Sequence, residues 1–398
     1  MDYLARSSFM LQQGKAVADI LWYYGEDNNI TGLYSHSFPE IPEGYDFDFI
    51  NPDALLSEIS VIDNKAVTGG GKEYQVICLD GNCKKMSLEV LKKIALLARR
   101  GVIICGQIPS TAASMYDSSR EFESIVKDIW FSGRANVFGG KWLEDVMPAS
   151  RIAPDWIILN GSGIRVVHRK LSDGHIYWVN SPVSEPQTAE ISLRTHGLKP
   201  QKWNPVNGEI SDLTYRFDGD RTVVSLNFEP NDAFFIVFRE KTDEKSFTLP
   251  EKKSAVLKQL DIEGSGCWTE KPETRYFSGT RSYRCKVDIP EHTGNIFLDL
   301  GEVYNLAQIL IDGQKVCTLW KAPFKTEITD YIKGKKNIEL EIRVTNLWVN
   351  HLIGDAMKDP SQRSSYVSSE FYNGTEPLQK SGLLGPVVLI ETTSTSND

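Results

Sequence analysis

The sequence lacks the features that mark membrane or nucleic-acid-binding proteins. None of its apolar runs reaches the roughly 20 residues that cross a bilayer, and its first residues, MDYLARSSFM, lack the basic start and apolar stretch of a signal peptide. It has no basic block, and 44 basic against 53 acidic side chains give a net charge of −9. We therefore expect no membrane and no nucleic acid among its partners, because nucleic-acid binding needs clustered basic residues to neutralise phosphates.

Common catalytic and metal-binding motifs are also missing. There is no GxSxG nucleophile elbow and no HExxH pair, and the six histidines never occur at metal-ligand spacing. Gly69-Gly70-Gly71-Lys72 is not a P-loop, because Glu73 stands where that motif requires serine or threonine. The six cysteines show no CxxC spacing, so we interpret them as buried free thiols. The residues alone thus predict no cofactor.

The 398 residues are too many for one ordinary hydrophobic core and predict two or three domains. In residues 1–155, apolar strand candidates such as YQVICL (74–79) and VIICG (102–106) alternate with helical patterns. Residues 86–101 carry apolar side chains at helical spacing and end at a glycine. Strand, helix and strand at this spacing predict an α/β domain with a mostly parallel sheet, of the glutamine-amidotransferase or flavodoxin-like kind.

After residue 156 the pattern changes to short runs of alternating apolar and polar residues separated by turns. Runs such as GIRVVHRK and RTVVSLNF predict a small antiparallel β-sandwich over 156–245. The charged stretch 240–253 is expected to be a linker. Further alternating strands, among them NIELEIRVTN, predict an all-β jelly roll over 246–398. The expected fold class is therefore multidomain, one α/β domain followed by two all-β domains.

Four acidic residues form a first candidate site. Glu26 and Asp27 end the first strand candidate, at the edge where open α/β sheets place their ligand crevice. Asp46 and Asp48 follow in a long loop that is expected to reach the same edge. A glycosidase needs two carboxyl groups about 5–9 Å apart, one protonated and one ionised. The alternative for these residues is capping, solvation or salt bridging between domains.

A second candidate site lies in residues 343–355, where a strand is expected to lead into a loop. Trp348 offers a flat aromatic face for the apolar side of a pyranose, and the residues after it offer donors and acceptors for hydroxyls. The predicted carbohydrate-binding residues are Trp348, Asn350, His351 and Asp355, joined by Trp320 from another strand. The alternative is that Trp348 fills the sandwich core while Asn350 and Asp355 bond loop backbone.

Several stretches, in order along the chain, resemble one enzyme family. The sequence is similar to the C-terminal part of glycoside hydrolase family 106, the α-L-rhamnosidase-like enzymes of Bacteroides-type pectin degraders. The matching stretches are YLARSSFMLQQGKAVADILWYYGED (3–27), IPEGYDFDFIN (41–51), the MSxxVLKKI helix (86–94), VVHRK (166–170), WNPVNGEI (203–210), VTNLWVNHLIGD (344–355) and SGLLGPVVL (381–389). They are spread over nearly the whole chain, and their order is more specific than any single stretch.

The resemblance implies a (β/α)8 barrel with two catalytic glutamates, followed by an α/β domain, a small β-sandwich and a galactose-binding-like jelly roll of the family 2 sugar-binding type. This chain departs from that pattern. A barrel takes about 250 residues of repeated βα units, and no such repeat can be drawn after residue 131. We therefore expect the barrel to be missing and transfer no catalytic residue.

The leading hypothesis is an accessory, non-catalytic part of a rhamnosidase-like glycoside hydrolase that acts on rhamnose-containing plant polysaccharide. The alternatives are a free-standing carbohydrate-binding or scaffolding protein, and a glycosidase with a carboxylate site near Glu26 and Asp27. Carbohydrate is the expected ligand, and the missing catalytic barrel or a second copy of the chain is the expected protein partner. The resemblance implies calcium dependence in some members, with the ion near the barrel, so we expect this chain to lack most of those ligands; a structural Ca²⁺ in the jelly roll is left open. The expected location is periplasmic or extracellular within the parent enzyme, and cytoplasmic for the chain as written.

Overall fold

The protein is represented by a computed structural model that describes residues 2–26, 39–367, 369 and 371–394. It divides into two compact units. The first unit comprises Met1–Val183, Gln187–Phe228 and Asp232–Thr248, and the second comprises Ser184–Pro186, Glu229–Asn231 and Leu249–Asp398. The three-domain division at 155/156 and 245/246 stays a prediction. Among the described residues, no helix is long and apolar enough to span a bilayer.

The first unit begins with helices packed around a parallel sheet. Its elements are α1 (Asp2–Gln12), β1 (Lys15–Ala16), β2 (Ile20–Tyr23), β3 (Phe47–Ile50), α2 (Pro52–Glu58), β4 (Ser60–Ile62), β5 (Lys65–Val67), β6 (Glu73–Tyr74), β7 (Val76–Leu79), β8 (Lys85–Met86), α3 (Leu88–Arg99), β9 (Ile103–Gly106), β10 (Thr111–Ala112), α4 (Ser119–Trp130), β11 (Val137–Gly139) and α5 (Leu143–Ala149). Five strands form a parallel sheet in the order β11-β9-β7-β2-β3. This arrangement agrees with the predicted strand–helix–strand units.

The central strands of this sheet are buried on both faces, as parallel strands covered by helices usually are. Leu21 and Ile77 belong to the core beside α3, whereas Ile20 and Val76 belong to the core beside α5. Alternate side chains of each strand therefore fill opposite cores. As its sequence suggests, α3 starts at a serine cap, because the Ser87 hydroxyl accepts a hydrogen bond from the Val90 backbone.

An antiparallel sandwich completes the first unit. Its strands are β12 (Trp156–Asn160), β13 (Arg165–Lys170), β14 (His175–Ser181), β15 (Gln187–Leu193), β16 (Leu198–Trp203), β17 (Ile210–Asp212), β18 (Thr214–Asp218), β19 (Arg221–Phe228), β20 (Asp232–Lys241) and β21 (Ser246–Phe247). One sheet has the order β1-β13-β14-β20-β16-β17 and the other has the order β12-β15-β19-β18-β21. Since β1 pairs with β13, the segment before the parallel sheet supplies an edge strand to the sandwich.

The expected linker over 240–253 is wrong for most of its length. Strand β20 extends to Lys241, and β21 pairs with β18 inside the first unit. Phe247 explains this, because its ring lies 6.4 Å from that of Tyr215 and packs against the sandwich core. Phe247 and the backbone pairing of β21 with β18 thus hold this charged stretch on the sheet.

The second unit is mostly β. Its elements are β22 (Lys252–Leu260), a 3-10 turn (Trp268–Glu270), β23 (Thr280–Asp288), β24 (Asn295–Asp299), β25 (Glu302–Tyr304), β26 (Leu306–Ile311), β27 (Gln314–Leu319), β28 (Lys325–Glu327), α6 (Thr329–Ile332), β29 (Asn337–Thr345), α7 (Val349–Ala356), a 3-10 turn (Pro360–Gln362), β30 (Gly382–Gly385) and β31 (Val387–Ser394). Two antiparallel sheets, ordered β22-β31-β24-β28 and β23-β29-β26-β27, enclose one core. The chain is therefore multidomain and rich in sheet, whereas the flavodoxin-like and jelly-roll topologies stay predictions.

Candidate functional site

The segment after β29 forms helix α7, so the loop expected there is wrong. Its buried residues include Asn350, Ile353 and Gly354, which recur at the three- and four-residue spacing of one helix face. Gly354 permits this packing, because a Cβ atom at that position would lie 2.7 Å from the Tyr276 ring. The segment is consequently a rigid helix rooted in the second unit.

Asn350 is buried and its amide is used inside the protein. It donates to the Gln379 carbonyl at 2.7 Å and accepts from the Gln379 backbone N–H at 2.8 Å. Asn346, one helical turn earlier, donates to the Phe277 carbonyl at 2.8 Å, and both amides bond the Ser381 hydroxyl. The expectation that Asn350 bonds loop backbone is confirmed, and its amide has little capacity left for a sugar.

Asp355 is also buried, and it holds the following loop against α7. Its carboxylate accepts from Lys358 Nζ at 2.8 Å, from the Ser364 backbone N–H at 2.9 Å, and from the backbone and hydroxyl of Ser365 at 2.7 Å each. The Lys358 ammonium and these donors hold the pKa of Asp355 well below its usual range. Asp355 is therefore a charged anchor for the loop.

Trp348 remains open to solvent at the start of α7, with 60% of the residue exposed. The idea that it fills the sandwich core is wrong, because the fully buried Trp268 takes that place and donates its indole N–H to Tyr283 at 2.7 Å. The ring of Trp348 lies 6.1 Å from that of His351, whose Nε2 is 3.0 Å from the Ser364 hydroxyl. Trp348 and His351 thus form an exposed aromatic edge on a fixed base.

Trp320 lies at the end of the sheet from which the segment with Trp348 also continues. Strands β27 and β29 both pair with β26, where Ala307 lies opposite Leu319 on one side and Val344 on the other. The two strands therefore end level with each other, about 10 Å apart at the usual strand spacing. Trp320 directly follows β27 and is 43% exposed. The structure brings it to the sheet edge from which Trp348 also leaves.

A cavity of about 390 Å³ opens beside α7. Its lining includes Leu352 and Asp355 from the helix and Tyr366, Phe371 and Tyr372 from the chain that follows. Tyr366 and Phe371 are mostly exposed. Sequence reasoning missed these aromatic residues, although their concentration in the polar stretch SSYVSSEFYNG is a signal that could have found them. They line this cavity beside α7 together with Leu352 and Asp355.

The structure separates the acidic residues of the other predicted site. Glu26 follows the carboxyl end of β2, whereas Asp46 precedes β3, which runs parallel to β2 with Ile20 opposite Phe47. A four-residue strand rises about 13 Å, so these two carboxylates lie at opposite edges of the sheet. The expectation that the long loop brings them together is wrong, because a parallel connection must return to the amino edge. Asp27 lies outside the described residues.

Glu26 and Asp48 also form hydrogen bonds or ion pairs within the protein. Glu26 accepts a hydrogen bond from the Ser87 backbone N–H at 2.5 Å, at the start of α3. Asp48 pairs with Lys72 and accepts from the Tyr74 hydroxyl at 2.7 Å. These contacts correspond to the alternative of capping and salt bridging.

An ionic network inside the first unit was not predicted. Arg194 lies 3.0 Å from Asp19 Oδ2, beside the parallel sheet, and 3.3 Å from Asp155 Oδ1, at the start of the sandwich. His168 Nδ1 donates to Asp155 at 2.9 Å, and His168 Nε2 lies 2.8 Å from His175 Nδ1. Asp19, Asp155 and His168 are all buried. We call Asp19, Asp155, His168, His175 and Arg194 the ionic network.

Burial lowers the pKa of His175 to about 4, and the neighbouring His168 acts in the same direction. His175 is therefore neutral near pH 7. The ionic network joins the sandwich to the parallel sheet, because Arg194 contacts both Asp19 and Asp155. Its members are far apart in sequence, so no local motif announces it.

A metal site is not apparent in the part of the chain that the structure describes. No group of three or more histidine, cysteine, aspartate or glutamate residues is arranged there to hold an ion. The structural Ca²⁺ that the resemblance allows stays a prediction.

Known proteins agree with the resemblance drawn from the sequence. A family model for α-L-rhamnosidases of glycoside hydrolase family 106 matches residues 1–217. The chain belongs to glycoside hydrolase family 106. The matched residues contain five of the seven stretches that first suggested family 106, from YLARSSFMLQQGKAVADILWYYGED to WNPVNGEI.

Two similar proteins are both longer than this family 106 chain. The structure of a rhamnosidase from Novosphingobium sp. PP1Y matches 98% of this chain and 40% of its own, with a TM-score of 0.88 and 31% sequence identity. A protein of Formosa agariphila with the name "Putative beta-glucuronidase" is 30% identical over 276 residues, which are 66% of this chain and 23% of that protein. The chain has a rhamnosidase-like fold and spans less than half of either protein.

Proposed function

We propose that this chain is an accessory, non-catalytic part of a rhamnosidase-like glycoside hydrolase that supports or binds rhamnose-containing plant polysaccharide. The observation that carries the proposal is the exposed indole of Trp348 on a fixed helix. An aromatic ring stacks on the apolar face of a pyranose, and its affinity benefits when the ring is held in place before binding. Asn350 and Asp355 supply that rigidity from below.

The proposed contact surface consists of Trp348 and His351, with Trp320 at the same sheet edge and the cavity beside α7 next to it. The ring nitrogens of His351 already face protein partners, the Ser364 hydroxyl at 3.0 Å and the Tyr276 carbonyl at 3.4 Å, so His351 is proposed to contribute the edge of its ring. In this proposal Asn350 and Asp355 position the surface and do not touch the sugar, since their polar atoms are already bonded.

The carboxylates support a non-catalytic role. Hydrolysis by paired carboxyl groups requires them about 5–9 Å apart, whereas Glu26 and Asp46 lie at opposite edges of the sheet. Within the described residues, the largest parallel sheet has five strands, in the order β11-β9-β7-β2-β3. Because of this strand order we propose that the sheet is flavodoxin-like and is not part of a catalytic barrel. We propose that it supports such a barrel instead.

The proposal extends to the fold of the second unit and to a protein partner. The second unit is proposed to be a galactose-binding-like jelly roll, supported by two four-stranded sheets around one core. A catalytic barrel of the kind found in Bacteroides-type enzymes, or a second copy of the chain, is the proposed protein partner. The assembled enzyme would then work in the periplasm or outside the cell, where polysaccharide is met.

Tryptophan fluorescence during titration with rhamnose and with galacturonic-acid oligosaccharides tests the sugar contact. We expect saturable quenching at millimolar sugar, and we expect Trp348→Ala to reduce it. Met357→Ala is the matched control, because Met357 is also 60% exposed just after α7 and carries no aromatic ring. Quenching of equal amplitude in Trp348→Ala and the wild type would overturn the proposed contact.

Turnover of an aryl rhamnoside tests the non-catalytic part. We expect no product from the wild-type chain or from Glu26→Gln. Turnover by the wild type that Glu26→Gln removes would favour the glycosidase alternative instead.

A further inference from the structure

The carboxyl edge of the parallel sheet contains a crevice position that the proposed sugar surface does not use. In this sheet β3, the next strand along the chain after β2, lies on one side of β2. The later strands β7, β9 and β11 lie in that order on its other side. The direction of chain progression therefore reverses between β2 and β7. Open α/β sheets bind ligands outside the carboxyl ends of strands at such a reversal.

An exposed tryptophan stands at this edge. Trp142 is 44% exposed, and its ring stacks on that of Trp22 with centroids 6.3 Å apart and planes inclined by 18°. The backbone before it is tied to the end of β9, because Gly106 donates to the Lys141 carbonyl at 2.8 Å. Trp142 is thus held from two directions while much of it stays open to solvent.

Oriented polar groups lie beside this ring. Asp80, directly after β7, accepts from the Trp22 indole N–H at 2.9 Å and from the backbone and side-chain amides of Asn82 at 2.9 Å each. A carboxylate has about four acceptor positions, so one remains. Gly81 lies against the Trp142 ring, where a Cβ atom would be 3.8 Å from it. The aromatic ring and the polar groups are therefore neighbours.

The charges at this edge decide the class of ligand. In folds of this order a phosphate commonly sits at a helix N-terminus. Here the first N–H groups of α3 are already bonded by carboxylates, Ser87 by Glu26 at 2.5 Å and Leu88 by Asp117 at 3.0 Å. Asp80 beside the ring is accompanied by the exposed cations Lys84 and Lys141, so the edge carries both signs of charge and, with the α3 N–H groups already bonded, a neutral ligand suits it better than an anion.

We propose that Trp142, Asp80 and Asn82 form a second saccharide-binding site, which takes a neutral pyranose. The apolar face of the sugar stacks on Trp142, and its hydroxyls bond the carboxylate of Asp80 and the amide of Asn82. This site is independent of the surface around Trp348 and shares with it only the class of ligand.

Fluorine NMR of the chain labelled with 5-fluorotryptophan tests the site, because each of the nine tryptophans gives its own signal. Trp142→Phe and Trp348→Phe assign the two signals. The probes are methyl rhamnoside and methyl galactoside, with methyl glucuronide as the charged comparison. We expect saturable shifts of the Trp142 signal with the neutral probes and a smaller response to the glucuronide.

Asn82→Ala removes a polar partner without touching the ring, and we expect it to weaken sugar binding at Trp142 about fivefold or more, the effect of losing a hydrogen bond of roughly 1 kcal/mol. Lys84→Ala, also exposed nearby, is the control and should leave binding unchanged. A Trp142 signal that stays fixed while the Trp348 signal shifts would overturn this site and leave the proposed function standing. The reverse pattern would support this site and contradict the proposed contact at Trp348, and no shift of either signal would overturn both.

Discussion

The first unit joins its parallel sheet to its sandwich by ion pairs, whereas the second unit fixes the start of helix α7 by neutral amides. In the first unit the ionic network buries charge, with Arg194 between Asp19 and Asp155. In the second unit α7 is rooted by Asn346, Asn350 and Ser381, which we call the amide network. Buried charges are costly when one partner is lost and respond to pH, whereas neutral amides do not titrate. The comparison teaches that the joint between sandwich and parallel sheet in the first unit should depend on charge balance, whereas the attachment of α7 through Asn350 should not.

Removing the central cation should have the largest effect. Arg194→Met leaves Asp19 and Asp155 buried without their shared partner, and breaking a buried ion pair typically costs about 3–5 kcal/mol. Because Arg194 is itself partly exposed, we expect a loss of about 3 kcal/mol in the free energy of unfolding of the first unit, measured by urea titration.

The matched control for this change is Arg216→Met. Arg216 pairs with Glu190 on the surface of the same unit, where both side chains are well exposed. Such pairs contribute about 0–1 kcal/mol. Equal losses for Arg194→Met and Arg216→Met would contradict the role given to the ionic network.

Breaking the amide network should cost less. Asn350→Ala leaves the backbone N–H and carbonyl of Gln379 without their partner, and an orphaned buried polar group costs about 1–3 kcal/mol. We expect a loss of about 2 kcal/mol, seen in thermal unfolding of the second unit and constant between pH 5 and pH 8. The exposed Asn337→Ala is the control, and a loss as small as its own would show that α7 is not rooted by Asn350.

His175 should make the first unit sensitive to acid. Its pKa is about 4 in the folded chain and about 6.5 in the unfolded chain, so the unfolded state takes up the proton first as pH falls through this window. The free energy of unfolding should then fall on the order of 2 kcal/mol between pH 6.5 and pH 4. His168, Lys170, Asp155 and Arg194 all act on this imidazole.

Urea titrations of the wild type and of His175→Gln from pH 7 to pH 4 isolate this contribution. The variant should lose less stability than the wild type over the window, because glutamine does not titrate. Parallel curves for the two proteins would rule out His175 as the source of acid sensitivity.

Truncating the exposed ring should have the smallest effect on stability. Trp348→Ala removes a side chain from a residue that is 60% exposed, and substitutions of exposed residues usually stay within about 0.5 kcal/mol. We expect its thermal unfolding to match that of the wild type. A loss as large as that of Asn350→Ala would mean that Trp348 is part of the core after all.

Features set by neighbouring residues could be predicted from the sequence. Short local patterns were enough to predict the Ser87 cap of α3 and the buried strands β2 and β7. They were also enough to select Trp348 as a candidate sugar contact. The family also followed, because several short stretches occur in the right order.

Features set by register or by distant residues could not be predicted. Asp46 was assigned to the wrong sheet edge, because only the pairing of β2 with β3 tells where the long loop returns. For Asn350 and Asp355 the sequence leaves both a sugar contact and bonding of loop backbone open, because it does not tell which face of α7 is buried. The ionic network joins residues as far apart as Asp19 and Arg194, which no spacing rule connects.

A crystal structure of the chain with a rhamnose-containing pectin oligosaccharide tests the central claim most directly. The account predicts a sugar ring against the exposed indole of Trp348, beside the ring of His351, and no contact with Asn350 or Asp355. Sugar bound between Glu26 and the neighbouring strand ends, with Trp348 left bare, would contradict it.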